Sequence, residues 1–190
     1  MERHDALKGI RNTKPLHFIG LGGAGCNALD HIYRKGIQAK YTCIDHRMRL
    51  DLPQEIEFIR FTSVGRNPFF YDERLTLADD IKELFVANHR FCLLAGLGGY
   101  TGTSLAMELT IWLHHSETEF LTICSCPFSF EGGSRRSTAN KSKMELASIS
   151  NFISFNLDDT ITEDFGKLTI KGVYARADEQ FYLVYKATLG

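Results

Sequence analysis

Several features that would fix a protein's class at once are scarce or missing in this chain. No apolar run approaches the roughly 18 residues that a membrane-spanning helix needs, so no membrane partner is expected. The N-terminus, Met1-Glu2-Arg3-His4-Asp5, is charged and runs into no apolar stretch, so no signal peptide is read there and a cytoplasmic location is expected. Neither sign of charge prevails: 22 Lys and Arg stand against 23 Asp and Glu. Without a basic patch or a long run of one sign, nothing points to nucleic acid. The five cysteines, Cys26, Cys43, Cys92, Cys124 and Cys126, are an odd number without zinc-ligand spacing. They read as reduced, packed thiols, Cys124 and Cys126 on one face of a strand, and no metal site is expected. His114 and His115 are adjacent, hence about 100° apart on a helix, and suit a helix C-terminus better than one ion. The P-loop pattern Gly-x-x-x-x-Gly-Lys-[Ser/Thr] is absent, which excludes the commonest nucleotide-hydrolase fold.

What remains has the balance of an ordinary globular domain: 190 residues, 44% hydrophobic and 24% charged. Short apolar runs bounded by turn residues alternate with helical periodicity. Strands are read at residues 16–20, 41–44, 56–61, 91–95, 120–126 and 151–155, and the third alternates apolar with polar residues as an edge strand does. Helices are read at 27–34, 72–88, 104–114 and 137–148. Trp112, beside Leu109 and Leu113, is a packing residue. Such alternation predicts an α/β fold: a three-layer, Rossmann-like, doubly wound, mainly parallel sheet. Two strand-like runs near the end, from Lys167 and from Gln180, predict a C-terminal β-hairpin burying Val173, Phe181, Leu183 or Val184. The expected division is an N-terminal extension over 1–15, a nucleotide-binding domain over 16–160, and the hairpin over 161–190 completing the same domain.

Two glycine-rich turns carry the chemistry. The first strand runs into Gly20-Leu-Gly22-Gly23-Ala-Gly25-Cys-Asn27, and the fourth into Gly96-Leu-Gly98-Gly99-Tyr-Thr101-Gly102-Thr103. Glycines leave no Cβ between backbone and ligand, so successive N–H groups at a helix start can face phosphate oxygens. Thr101 and Thr103 would add hydroxyl donors. Gly20-x-Gly22-x-x-Gly25 also satisfies the dinucleotide fingerprint, and Asp45 stands about 20 residues beyond it, where such folds bind a ribose hydroxyl. NAD(P) or FAD binding is therefore the alternative reading, although that fold needs only one glycine turn. A module that keeps the fold without the ligand is a third, favoured by Tyr100 and Arg66 within otherwise small loops.

The second turn resembles the tubulin-type signature Gly-Gly-Gly-Thr-Gly-Thr-Gly, and the chain is similar to the FtsZ/tubulin family at five further places in the same order. These are Gly22-Gly-Ala-Gly-Cys-Asn27, Cys43-Ile-Asp45, Gly65-Arg-Asn67-Pro68, Pro127-Phe-Ser-Phe-Glu131-Gly with Arg135, and Asn156 closing the sixth strand. The resemblance implies a GTP/GDP-binding, FtsZ-like protein connected with cell division. Gly22, Gly23, Gly98, Gly99, Thr101, Gly102 and Thr103 would contact the phosphates, with Mg2+ as their companion, and Gly25, Asn27 and Asp45 would belong to the same binding site. Asn67 would lie near the γ-phosphate, Glu131 and Arg135 at the ribose, and Asn156 at the base. In that family a long central helix, an acidic catalytic loop and a second domain follow, and none is read here. Catalytic residues are accordingly not assigned, hydrolysis would need an acidic loop from a partner, and self-association or pairing with a full-length FtsZ-like protein is the expected form of any assembly.

Overall fold

The strands form because their apolar runs can be buried on both faces. A computed structural model describes residues 14–61, 79–86, 88–116, 118–161 and 169–189. Its elements are β1 (Leu16–Leu21), α1 (Gly22–Arg34), β2 (Lys40–Asp45), β3 (Glu57–Arg60), α2 (Asp79–Glu83), β4 (Arg90–Gly96), α3 (Tyr100–His114), β5 (Phe120–Cys126), α4 (Gly133–Leu146), β6 (Phe152–Asn156) and α5 (Ile170–Leu189). The strands pair in the order β3-β2-β1-β4-β5-β6, every pair parallel. β3 is an edge strand, as its alternation predicts.

Strand alternation divides the core in two. Ile19, Leu21, Leu93 and Ala95 face α3, meeting Leu105, Leu109 and Leu113, with Ile81 and Phe85 beside them. Trp112 packs on this core and meets Phe85 edge-on at 5.6 Å. Cys124 and Cys126 share this face. Phe18, Cys43, Cys92, Leu94 and Ile123 face the other way, against Leu29 and Ile32 of α1 and Phe181 and Tyr185 of α5. All five cysteines are free and buried. At the N-terminal end of the sheet His17 is buried with its Nε2 2.8 Å from Thr42 Oγ1. Burial, then Lys40 and His89, pushes this imidazole down to about 3.

The tail corrects the sequence reading. Residues 170–189 form no hairpin but a 20-residue helix, so a long helix does follow β6. Its buried residues Val173, Ala177, Phe181 and Tyr185 recur every fourth position, the stripe of a helix rather than the alternation of a strand. The helix docks through apolar contact and charge together. Phe181 meets Phe155 edge-on at 4.9 Å, and Glu179 reaches His31 at 2.6 Å and Lys35 at 2.7 Å on α1. Lys35 first, then His31, holds the Glu179 carboxyl below its usual range. Residues 1–13 of the expected extension over 1–15, and residues 72–78 of the expected 72–88 helix, lie outside the described residues. No described helix is long and apolar enough to cross a membrane.

Candidate functional site

Both glycine-rich turns are the first turns of helices. α1 begins at Gly22 and α3 at Tyr100, several residues earlier than the apolar periodicity indicates, and neither start has a side-chain cap or an acidic residue in its first turn. An uncapped helix start leaves backbone N–H groups unpaired and carries the positive end of the macrodipole, the ordinary arrangement for an anion. The two starts touch. Gly22 has φ +67°, and a Cβ there would sit 2.7 Å from the Gly102 nitrogen. Gly98, at φ +94°, would bring a Cβ equally close to the Arg135 carbonyl, so α4 also abuts the second turn.

A cleft of about 420 Å³ opens at the C-terminal ends of β1 and β4, where the strand order reverses and α/β sheets hold their ligands. Gly23, Asn27, Asp45, Gly99, Thr101, Gly102, Glu131 and Arg135, all expected from the sequence, line it. Gly22, Gly25, Gly98 and Thr103 are not among its lining residues and shape the turns instead. Gly25 packs against the Leu94 carbonyl, and the Gly98 N–H donates to Thr103 Oγ1 at 2.9 Å. Glu131 accepts from the Phe128 N–H at 3.0 Å and from Arg135 at 2.7 Å, so its carboxylate is already held by the turn and the arginine. Asn156 ends β6 with its amide 3.4 Å from Asp159; its neighbour Leu157, not Asn156, lines the cleft. Asn67 and Arg66 lie outside the described residues.

Other lining residues escaped the sequence reading. His46 and Arg47 follow Asp45 at the end of β2, and α5 contributes Tyr174, Ala177, Asp178 and Phe181. Tyr174 stands edge-on to Phe128 at 5.7 Å. Burial pushes the Asp178 carboxyl up to about 6. Arg49 donates to Asn27 Oδ1 at 2.5 Å and to the Gly23 carbonyl at 3.4 Å, fixing the asparagine beside the first turn. The helical spacing of Tyr174 and Asp178 is the available signal, and the hairpin reading hides it by putting Tyr174 in a strand and Asp178 in the turn.

These features define a class: a three-layer α/β fold in which two glycine-rich helix starts meet at one cleft, and the chain is similar in sequence to FtsZ proteins and shares the fold of an FtsZ structure. Cell division protein FtsZ of Aquifex aeolicus is 29% identical over 178 residues, 88% of this chain and 48% of the relative. FtsZ 1 of Pyrococcus horikoshii is 26% identical over 174 residues, 86% and 47% respectively. The chain thus spans about half the length of the curated relatives it matches. Among solved structures, the empty FtsZ dimer of M. jannaschii superposes with a TM-score of 0.71 at 20% identity, over 98% of this chain and 58% of that one. The GTPγS-bound CetZ2 protofilament of Haloferax volcanii gives 0.68 at 16% identity, over 93% and 60%. No family model matches the chain.

Proposed function

We propose that the cleft binds a guanine nucleotide, with the phosphates at the joined starts of α1 and α3 and the base toward α5. The observation that carries this reading is the meeting of two uncapped helix starts in one cleft that also contains an aromatic ring and a carboxyl, Tyr174 and Asp178. An aromatic face suits a purine ring. An ionised carboxylate accepts from the N1–H and N2–H groups that guanine presents together, whereas adenine offers a lone pair at N1. A site built on such hydrogen bonds rejects the base that lacks them. Two proteins of the same fold, CetZ2 and CetZ1 of Haloferax volcanii, have structures with GTPγS and GDP bound respectively, which supports the same class of ligand here.

Mg2+ would fit as a companion of the phosphates. It commonly takes most of its ligands from phosphate and water, and Asp45 is the carboxylate lining the cleft beside the first turn. No described cluster of three His, Cys, Asp or Glu could hold a metal by itself. Assembly with a second copy or a longer FtsZ-like chain belongs to the same proposal, as does any hydrolysis. A nicotinamide or flavin dinucleotide is the rival ligand, since Asp45 ends β2 where such folds hold a ribose; the second helix start argues against it.

Equilibrium dialysis against GDP and ADP tests the reading. The wild-type chain should retain GDP at least tenfold better than ADP, and Asp178→Asn should lose most of that preference, by about the 1–3 kcal/mol of a charged hydrogen-bond partner. Equal retention of the two nucleotides by the wild type would contradict it.

A further inference from the structure

The residue after Asp45 joins two walls of the cleft. The His46 backbone N–H donates to Asp45 Oδ1 at 2.8 Å, and the same oxygen lies 3.1 Å from His46 Nδ1. That ring nitrogen is also 2.9 Å from Thr101 Oγ1, on the first turn of α3. Asp45 and Thr101 are buried, at 5% and 6% exposure, so the half-exposed imidazole is anchored from both sides. A carboxylate oxygen beside a ring nitrogen requires a proton on that nitrogen, because two lone pairs at this distance repel. Nδ1–H therefore points at Asp45 and Thr101, and both oxygens act as acceptors. The consequence falls on Thr101. A hydroxyl that accepts from the imidazole keeps its own proton for another partner, and Thr101 lines the cleft.

We propose that Asp45 and His46 form a positioning relay that turns the Thr101 hydroxyl proton into the cleft, as a donor to a phosphate oxygen of the bound nucleotide. The nature of the anion rests on the nucleotide reading above; the relay itself rests on the three side chains. The order of action is fixed by chemistry. Asp45 sets the tautomer of His46, His46 occupies a lone pair of Thr101, and Thr101 touches the ligand. His46 is then a positioning residue rather than a ligand contact, and its effect on binding passes through one hydroxyl.

Two measurements on the intact chain test this. Long-range ¹H–¹⁵N spectra of the ligand-free protein should show the proton on Nδ1 of His46; a ring protonated only on Nε2 would overturn the relay. In GDP titrations, His46→Ala and Thr101→Val should each weaken binding about tenfold, the loss expected for a hydrogen bond to a charged group. The double variant should be little worse than either single one, because the two changes remove the same donor. His46→Asn, which presents an amide N–H in place of Nδ1–H, should recover most of the affinity. Multiplicative losses of about a hundredfold, or a His46→Ala variant that binds GDP like the wild type, would overturn the relay and leave the nucleotide reading standing. A wild-type chain that binds no GDP would overturn that reading, and the relay's role with it, whatever the tautomer.

Discussion

Glycines 22 and 23 are neighbours with opposite tasks. Gly22 is needed for folding: its φ is positive and a Cβ would strike the Gly102 nitrogen at 2.7 Å. Gly22→Ala should therefore cost at least about 2 kcal/mol in chemical denaturation, from the left-handed conformation and the backbone contact together. At Gly23 the nearest atom to an added Cβ is Asp45 Oδ2 at 3.9 Å, and the residue lies within α1. Gly23→Ala should leave stability unchanged or raise it by up to about 1 kcal/mol, while weakening nucleotide binding by placing a methyl in the cleft. The reverse pattern would mean that the first turn is not where the ligand lies. Both glycines are visible in the sequence as members of one motif, but the motif does not say which of them faces the ligand. That distinction depends on φ and on the approach of α3.

Asp178 supplies the second test at this scale. Its carboxyl titrates at about 6 in the folded chain because it is buried, and near 4 when unfolded. Between those values the folded form holds the proton more tightly, so this group's contribution to stability falls as pH rises. His17, pushed down to about 3, works in the opposite direction from 6.5 downward, so the wild-type profile alone mixes the two. The difference between Asp178→Asn and wild type isolates the aspartate. Without ligand the variant should be more stable by about 1–2 kcal/mol at pH 7.5, less than the full shift implies because solvent still reaches the group. That gap should close near pH 4. Equal urea midpoint differences at the two pH values would sink this reading.

Among the elements, α5 is the one whose sequence misled. Its two ends are rich in β-branched and aromatic residues, Ile170, Val173 and Tyr174 at one and Phe181, Tyr182, Val184 and Tyr185 at the other. Strand propensity of that kind is overridden when every fourth residue can be buried, as Val173, Ala177, Phe181 and Tyr185 are. Phe181 sits at 1% exposure against Phe155 and lines the cleft as well. Phe181→Ala should cost about 3–5 kcal/mol and reduce nucleotide affinity in the same variant; a mild loss below 1 kcal/mol would mean α5 is not docked as described. Strands were easier to read than helix ends. Buried parallel strands are continuous apolar runs and their bounds shift by only a residue or so. α1 starts on Gly22 and α3 directly after Gly98 and Gly99, residues that propensity reads as loop, so the turns of the candidate site fall outside the helices read from the sequence.

For the whole molecule, the strand order 3-2-1-4-5-6 is shared with dinucleotide-binding folds, so topology by itself does not choose between guanine nucleotide and NAD. Two helix starts in one cleft and the carboxyl of Asp178 are what separate the readings, and only the first was legible in the sequence. The most direct measurement is thermal unfolding with GDP, GTP, ATP and NAD, each with magnesium, because a ligand that binds only the folded state stabilises it in proportion to its occupancy, by about 2.7 kcal/mol at a hundred times Kd. GDP and GTP should raise the midpoint by several degrees while ATP and NAD leave it unmoved. A shift with NAD alone, or no shift with any nucleotide at millimolar concentration, would contradict the account.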